Sequence, residues 1–127
     1  MGAGIVRIVT DESFERDVLR SGRMILVVFG LPWCGPCRLM SPGLRALAAT
    51  RRDRLIVAKL DAEANPATAA LYGVETYPMS ILFAAGEPAL RLDGYMPLRK
   101  VEAALAAYLD GPGGGRPRQG PIAPSAT

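Results

Sequence analysis

Cys34 and Cys37 are the only two thiols in 127 residues, and they stand three positions apart in Trp33-Cys34-Gly35-Pro36-Cys37. A Cys-x-x-Cys pair can close a small disulfide ring and reopen it. The run Met24 to Phe29 before it is wholly apolar, and Arg38 to Ala49 after it reads as a helix. The pair therefore falls where a buried strand hands over to a helix. A helix start presents unpaired N–H groups and a partial positive charge. That field favours thiolate, the species that attacks a disulfide. A free thiol with a pKa of about 8.5 is only a few per cent ionised at neutral pH, so a modest downward shift at Cys34 changes its reactivity. Gly35 permits the sharp turn, and Pro36 restricts the open ring. The chemistry implied is thiol–disulfide exchange.

The rest of the composition removes competing chemistries. The chain has no histidine and two cysteines, which excludes a tetrahedral Cys/His zinc site within one chain. Two chains could pool their pairs around a metal or cluster, but a stiff proline inside the turn weighs against it. No metal or bound cofactor is expected beyond the cysteine pair itself. The net charge is +3, of which Arg116 and Arg118 near the C-terminus supply two charges. The densest basic cluster is Arg51-Arg52-Asp53-Arg54, which suits a solvated helix end, so no nucleic-acid surface is expected. No apolar run approaches the roughly 20 residues that cross a bilayer. Arg7 interrupts the short apolar stretch Ile5 to Val9, which does not read as a secretory leader. A monomer in the cytoplasm is the expectation.

The elements that must position the cysteines follow from hydrophobic patterning. Ile5 to Val9 reads as a strand, followed by a helix capped by Thr10 or Asp11 and running to about Ser21. In that helix Phe14 and Val18 share a face, and Glu12 is spaced to pair with Arg16. Met24 to Phe29 has the continuous apolar character of a strand covered on both faces. The next helix carries Met40, Leu44, Leu47 and Ala48 on one side, with Pro42 deleting the backbone bond to the Arg38 carbonyl. Leu55 to Leu60 is a third strand, interrupted by Lys59. A short helix from Pro66 to Tyr72 ends at Gly73. Met79 to Ala84 and Ala89 to Leu92 form a hairpin linked through Ala85-Gly86-Glu87-Pro88. A last helix spans Pro97 to Asp110. The pattern predicts an α/β fold: a central mixed sheet of about five strands flanked by about four helices, built from three crossover units and a hairpin. Residues 1–110 form one domain. In 111–127, nine of 17 residues are glycine or proline, and a disordered tail is expected.

With Trp-Cys-Gly-Pro-Cys on this scaffold, the chain resembles the thioredoxin family. Pro42, Val57-Ala58-Lys59-Leu60, Asn65-Pro66, Tyr77-Pro78, Gly86 and Gly94 recur in the family's order. The resemblance covers about residues 5–110 and implies the thioredoxin fold. It also implies that Cys34 is the nucleophile toward protein disulfides and Cys37 the buried resolving thiol. Tyr77-Pro78 matches the family's cis-proline, beside which substrate backbone pairs. Trp33, Tyr77, Pro78, Gly94 and Tyr95 would then outline a shallow substrate groove. The implied electron donor is an NADPH-dependent flavoprotein, thioredoxin reductase.

The resemblance also locates departures. Relatives commonly read Asp-Phe-Trp-Ala where this chain has Val28-Phe29-Gly30-Leu31. Val28 takes the place of a buried carboxylate thought to receive the resolving cysteine's proton, and Gly30 that of a bulky indole. Met79, where relatives carry Thr, reads chiefly as core. Lys59 loses an ionic neighbour, and either modulates Cys37 or merely extends its amine to water. Two further readings follow from these departures. One is a thioredoxin-fold binding module or chaperone with a slow or vestigial redox centre. The other is a dedicated disulfide oxidant, against which Gly-Pro between the cysteines and the lack of an export signal both weigh.

Overall fold

The structure, a computed structural model, describes residues 5–110; the expected tail lies outside them. Five strands form one mixed sheet in the order β1-β3-β2-β4-β5: β1 (Arg7–Val9), β2 (Met24–Gly30), β3 (Leu55–Asp61), β4 (Met79–Ala84) and β5 (Glu87–Asp93). A π-helix (Glu15–Leu19) follows β1, and α1 (Gly35–Thr50), α2 (Pro66–Leu71) and α3 (Leu98–Leu109) follow β2, β3 and β5. β1 and β2 both run parallel to β3, whereas β4 runs antiparallel to β2. Two connections are thus parallel crossovers, not the expected three; the chain through α2 returns β4 in the opposite sense.

Strand β2 is buried from Met24 to Phe29 because both faces are covered. Met24, Leu26 and Val28 meet α1 and α3 through Met40, Leu44, Leu47, Val101 and Leu105. Ile25, Val27 and Phe29 face the other way, toward Phe14 and Val18. There Phe14, Tyr72 and Phe83 form an aromatic triangle with centroid separations of 5.1–5.8 Å.

The first helical segment departs from expectation. Neither Thr10 nor Asp11 caps it, since Phe14 is the N-cap and makes no side-chain cap bond; the Thr10 hydroxyl accepts the Ser13 N–H at 3.1 Å and Ser13 Oγ accepts the Thr10 N–H at 2.9 Å in the turn before it. Residues 11–13 are a turn, and the segment closes with a wide Arg20 N–H to Glu15 carbonyl bond. Glu12 is therefore off the helix, and Arg16 pairs instead with Asp17 at 2.8 Å.

Asp11 serves a different helix. Its carboxylate accepts the N–H groups of Ala67 and Thr68 and the Thr68 hydroxyl at 2.7–3.1 Å, capping α2 from across the chain. The Thr68 hydroxyl bond holds this carboxyl below the usual carboxylate range; burial opposes it, and the Thr68 and Ala67 amides add to it. A depressed folded-state pKa contributes stability that is present above the unfolded value and lost as pH falls through the folded one. Asp11→Ala is accordingly expected to lower the urea midpoint at pH 7. The gap from the unchanged protein should close as both are acidified below about pH 4. A gap independent of pH would refute the assignment.

The hairpin turn is tighter than expected. Ala85 and Gly86 both have positive φ, so a two-residue turn pairs Ala84 directly with Glu87. A bulge opposite Leu82/Phe83 then absorbs Ala89 and seats Pro88 in the edge strand β5. A Cβ at Gly86 would lie 2.6 Å from the Leu19 carbonyl oxygen, whereas at Gly73, also positive in φ, it would meet nothing within 4 Å. Gly86→Ala is expected to cost about 3 kcal/mol, combining left-handed backbone and overpacking, against about 1 kcal/mol for Gly73→Ala. Urea unfolding of the two variants measures the difference, and equal losses would contradict it.

Candidate active site

Helix α1 begins three residues earlier than its apolar pattern indicates. Proline is favoured in a first turn, where its missing N–H has no partner to lose, so Pro36 extends the helix back to Gly35. Cys34 becomes the N-cap residue and Cys37 lies within the first turn. The Cys37 N–H donates to Cys34 Sγ at 3.2 Å, and the Arg38 N–H reaches the Cys34 carbonyl at 3.2 Å. The two cysteines are joined in a disulfide, with 5.3 Å between their Cα atoms. Each is 8% exposed, so burial alone does not separate a nucleophile from a resolving thiol. Their surroundings do differ. Cys34 Sγ sits on the helix N-terminus and accepts an amide hydrogen bond. Cys37 turns inward toward β2.

Trp33 projects beside this ring with 67% of its surface exposed, and Gly35 and Pro36 are exposed as well. The Phe29–Met79 pairing brings the residues just before β4 to the end of β2 from which the cysteine loop departs. Those residues are Tyr77 and Pro78, joined by a cis peptide bond. The Gly94 N–H donates to the Pro78 carbonyl at 2.8 Å, tying the end of β5 to the same corner. Tyr95 follows it and is exposed, whereas Tyr77 is half-buried against the aromatic side of the core.

Behind the ring, Val28 is 3% exposed and pairs in register with Lys59 on one side and Ser80 on the other. Lys59 Nζ bonds to Ser41 Oγ on α1 at 3.0 Å. It does not simply extend into water. Ser80 Oγ is buried and has no hydrogen-bond partner among the described residues. A cleft of about 250 Å³ opens between α1 and the sheet, bounded by Ile8, Val28, Gly30, Leu31, Lys59 and Cys37. The sequence pattern located neither Ser41, nor the orphan hydroxyl, nor the cleft. The first two needed strand register, and the third needed the absence of a side chain at Gly30 to be seen in three dimensions.

Among the described residues no group of three or more His, Cys, Asp or Glu side chains could hold a metal ion. None of their helices is long and apolar enough to cross a membrane.

The Thioredoxin family profile matches residues 5–107. The thioredoxin of Mycolicibacterium smegmatis is 48% identical over 103 residues, covering 80% of this chain and 88% of that protein. The thioredoxin of Alicyclobacillus acidocaldarius subsp. acidocaldarius is 40% identical over 101 residues, covering 80% and 95%. A bifunctional thioredoxin reductase/thioredoxin of Mycobacterium leprae (strain TN) is 45% identical over 92 residues, covering 72% of this chain and 20% of that protein. With a redox-capable disulfide at the N-terminus of α1 and a mixed five-stranded sheet behind it, the chain belongs to the thioredoxin family of thiol–disulfide oxidoreductases.

Proposed function

We propose that this protein reduces disulfides in other proteins through a two-step exchange in which Cys34 attacks and Cys37 resolves. In the dithiol form, Cys34 Sγ as thiolate attacks one sulfur of the substrate disulfide. A Cys34–substrate bond forms, and the other substrate sulfur leaves as thiolate. Cys37, once deprotonated, attacks Cys34 Sγ, closes the Cys34–Cys37 bond and expels the second substrate thiolate. Two electrons have then passed to the substrate. The observation that carries this reading is the Cys37 N–H bond to Cys34 Sγ at the head of α1. It favours Cys34 as the thiolate, both when it attacks and when it leaves.

Trp33, Pro78, Gly94 and Tyr95 form the wall along which an extended substrate lies, with the backbone of Tyr77 pairing to it. The exposed aromatic faces of Trp33 and Tyr95 supply apolar contact without demanding one substrate sequence. Lys59, bounding the cleft that Cys37 also bounds, favours the resolving thiolate. The electron donor is an NADPH-dependent flavoprotein thioredoxin reductase; the Mycobacterium leprae relative, named for both activities, supports that pairing. The protein works as a monomer in the cytoplasm, where disulfides are kept reduced.

Supplied with thioredoxin reductase and NADPH, the protein is expected to reduce insulin over many turnovers, and Cys34→Ser to fall to background. NADPH consumption follows the reaction. Turnover that survives Cys34→Ser would overturn the assignment. A protein that binds partners stably with or without Cys34, and turns nothing over, would instead be a binding module.

A further inference from the structure

The cleft behind the cysteine ring is lined by Cys37 and by Gly30 beside it. A Cβ placed on Gly30 would lie 3.2 Å from Cys37 Sγ, so the missing side chain leaves that sulfur facing open space. Ile8, Val28, Leu31 and Pro32 make the walls largely apolar, and Ile8, on the edge strand and 70% exposed, marks the mouth. Two cations, Lys59 and Arg38, line it against one carboxylate, Asp61. That carboxylate is already occupied by the Glu63 and Ala64 N–H groups. The site thus combines a small apolar volume, an excess of positive charge and a disulfide sulfur. Its volume of about 250 Å³ suits a small ligand.

We infer that the cleft admits low-molecular-mass apolar thiols, as thiolates, which reduce the disulfide by attacking Cys37 Sγ without using the protein groove. The inference rests on the redox reading above and adds a second class of electron donor. In the first step the incoming sulfur bonds to Cys37 Sγ, and the Cys34–Cys37 bond breaks with its electron pair on Cys34. Cys34 is the better leaving group, because its sulfur receives the Cys37 N–H at the helix N-terminus. In the second step another thiolate attacks the donor's own sulfur, forming the donor disulfide and releasing Cys37 as thiolate. Both cysteines then take protons from solvent. Two donor thiols are oxidised to one disulfide, and one protein disulfide is reduced.

Trp33, the only tryptophan in the chain and adjacent to the ring, reports reduction by its fluorescence. The oxidised full-length protein would be mixed with benzyl mercaptan or with 2-mercaptoethanol, thiols of comparable acidity. Benzyl mercaptan is expected to react about tenfold faster, from partial burial of its ring. Ile8→Phe, which enlarges the side chain at the mouth from an exposed position and adds no second tryptophan, should reduce that preference to nearly one. Gly30→Ala, which covers the sulfur, should do the same. Rapid quenching with iodoacetamide and fragment mass spectrometry should find the benzylthio group on Cys37 and the alkyl group on Cys34. A benzylthio group on Cys34 alone, or a preference unchanged in both variants, would overturn the inference. Insulin turnover by the unchanged protein with reductase and NADPH, run in parallel, tests the protein-disulfide reading separately. Ile8→Phe should leave that turnover intact.

Discussion

Cys37→Ser is expected to halt multiple-turnover reduction of insulin and to leave this protein covalently attached to its substrates. The first attack needs only Cys34, whose thiolate is supported by the head of α1 whichever residue occupies position 37, since the hydrogen bond comes from the backbone N–H. The second step needs a sulfur at 37. A serine hydroxyl stays protonated at neutral pH and does not displace a thiolate, so the mixed disulfide persists. Turnover should fall to the rate of the reductant alone, while complexes stable on a non-reducing gel accumulate and dissolve with dithiothreitol. The double variant Cys34→Ser, Cys37→Ser should form none. Continued turnover in Cys37→Ser, or equal complex formation in the double variant, would reverse the assigned roles or abolish them.

Val28→Asp carries the next largest expected effect. Position 28 is buried, stands between Lys59 and Ser80 in register, and shares the cleft with Cys37. A carboxylate there would supply a proton acceptor where the present side chain has none. General-base assistance is worth typically 10²–10⁴-fold in a proton-transfer step; about tenfold in resolution is expected once other steps become limiting. Two neighbours would moderate the burial: the Lys59 amine, and the Ser80 hydroxyl, which has no partner among the described residues. Desolvation should still raise the new carboxyl's pKa above that of the unfolded chain. The folded state then holds the proton longer, so the variant loses stability as pH rises from about 4 through the raised value, the reverse of the Asp11 case. Single-turnover decay of a mixed disulfide measures the first effect, and urea melts at pH 5 and pH 8 measure the second. An unchanged resolution rate would mean that proton removal from Cys37 does not limit this protein.

The residues differ in how much of this they disclosed in sequence. β2 was legible because burial on both faces forces an unbroken apolar run from Met24 to Phe29. The cysteine pair was legible because its chemistry depends on spacing alone. The start of α1 was not, because apolar periodicity begins only after the first turn, and the helix is set back to Gly35 by Pro36 and the Cys34 cap. The Glu12–Arg16 pair failed because i,i+4 spacing means proximity only on an α-helix, and residues 11–13 are a turn. Asp11 looked like a local cap, yet its partners lie more than 50 residues onward, a distance that only the folded sheet closes. The reversed sense of β4 was invisible for a related reason. A short helix between two strands permits either direction, and the choice is made by pairing with β2.

The sheet divides the interior into two apolar layers, and the one beneath α1 and α3 supplies Val28 to the cleft. The aromatic triangle of Phe14, Tyr72 and Phe83 lies in the other. Lineages can therefore adjust how long the molecule survives by altering that triangle, which lines no part of the cleft, while the electron-handling residues drift under separate selection. Durability and reactivity become heritable traits that need not change together.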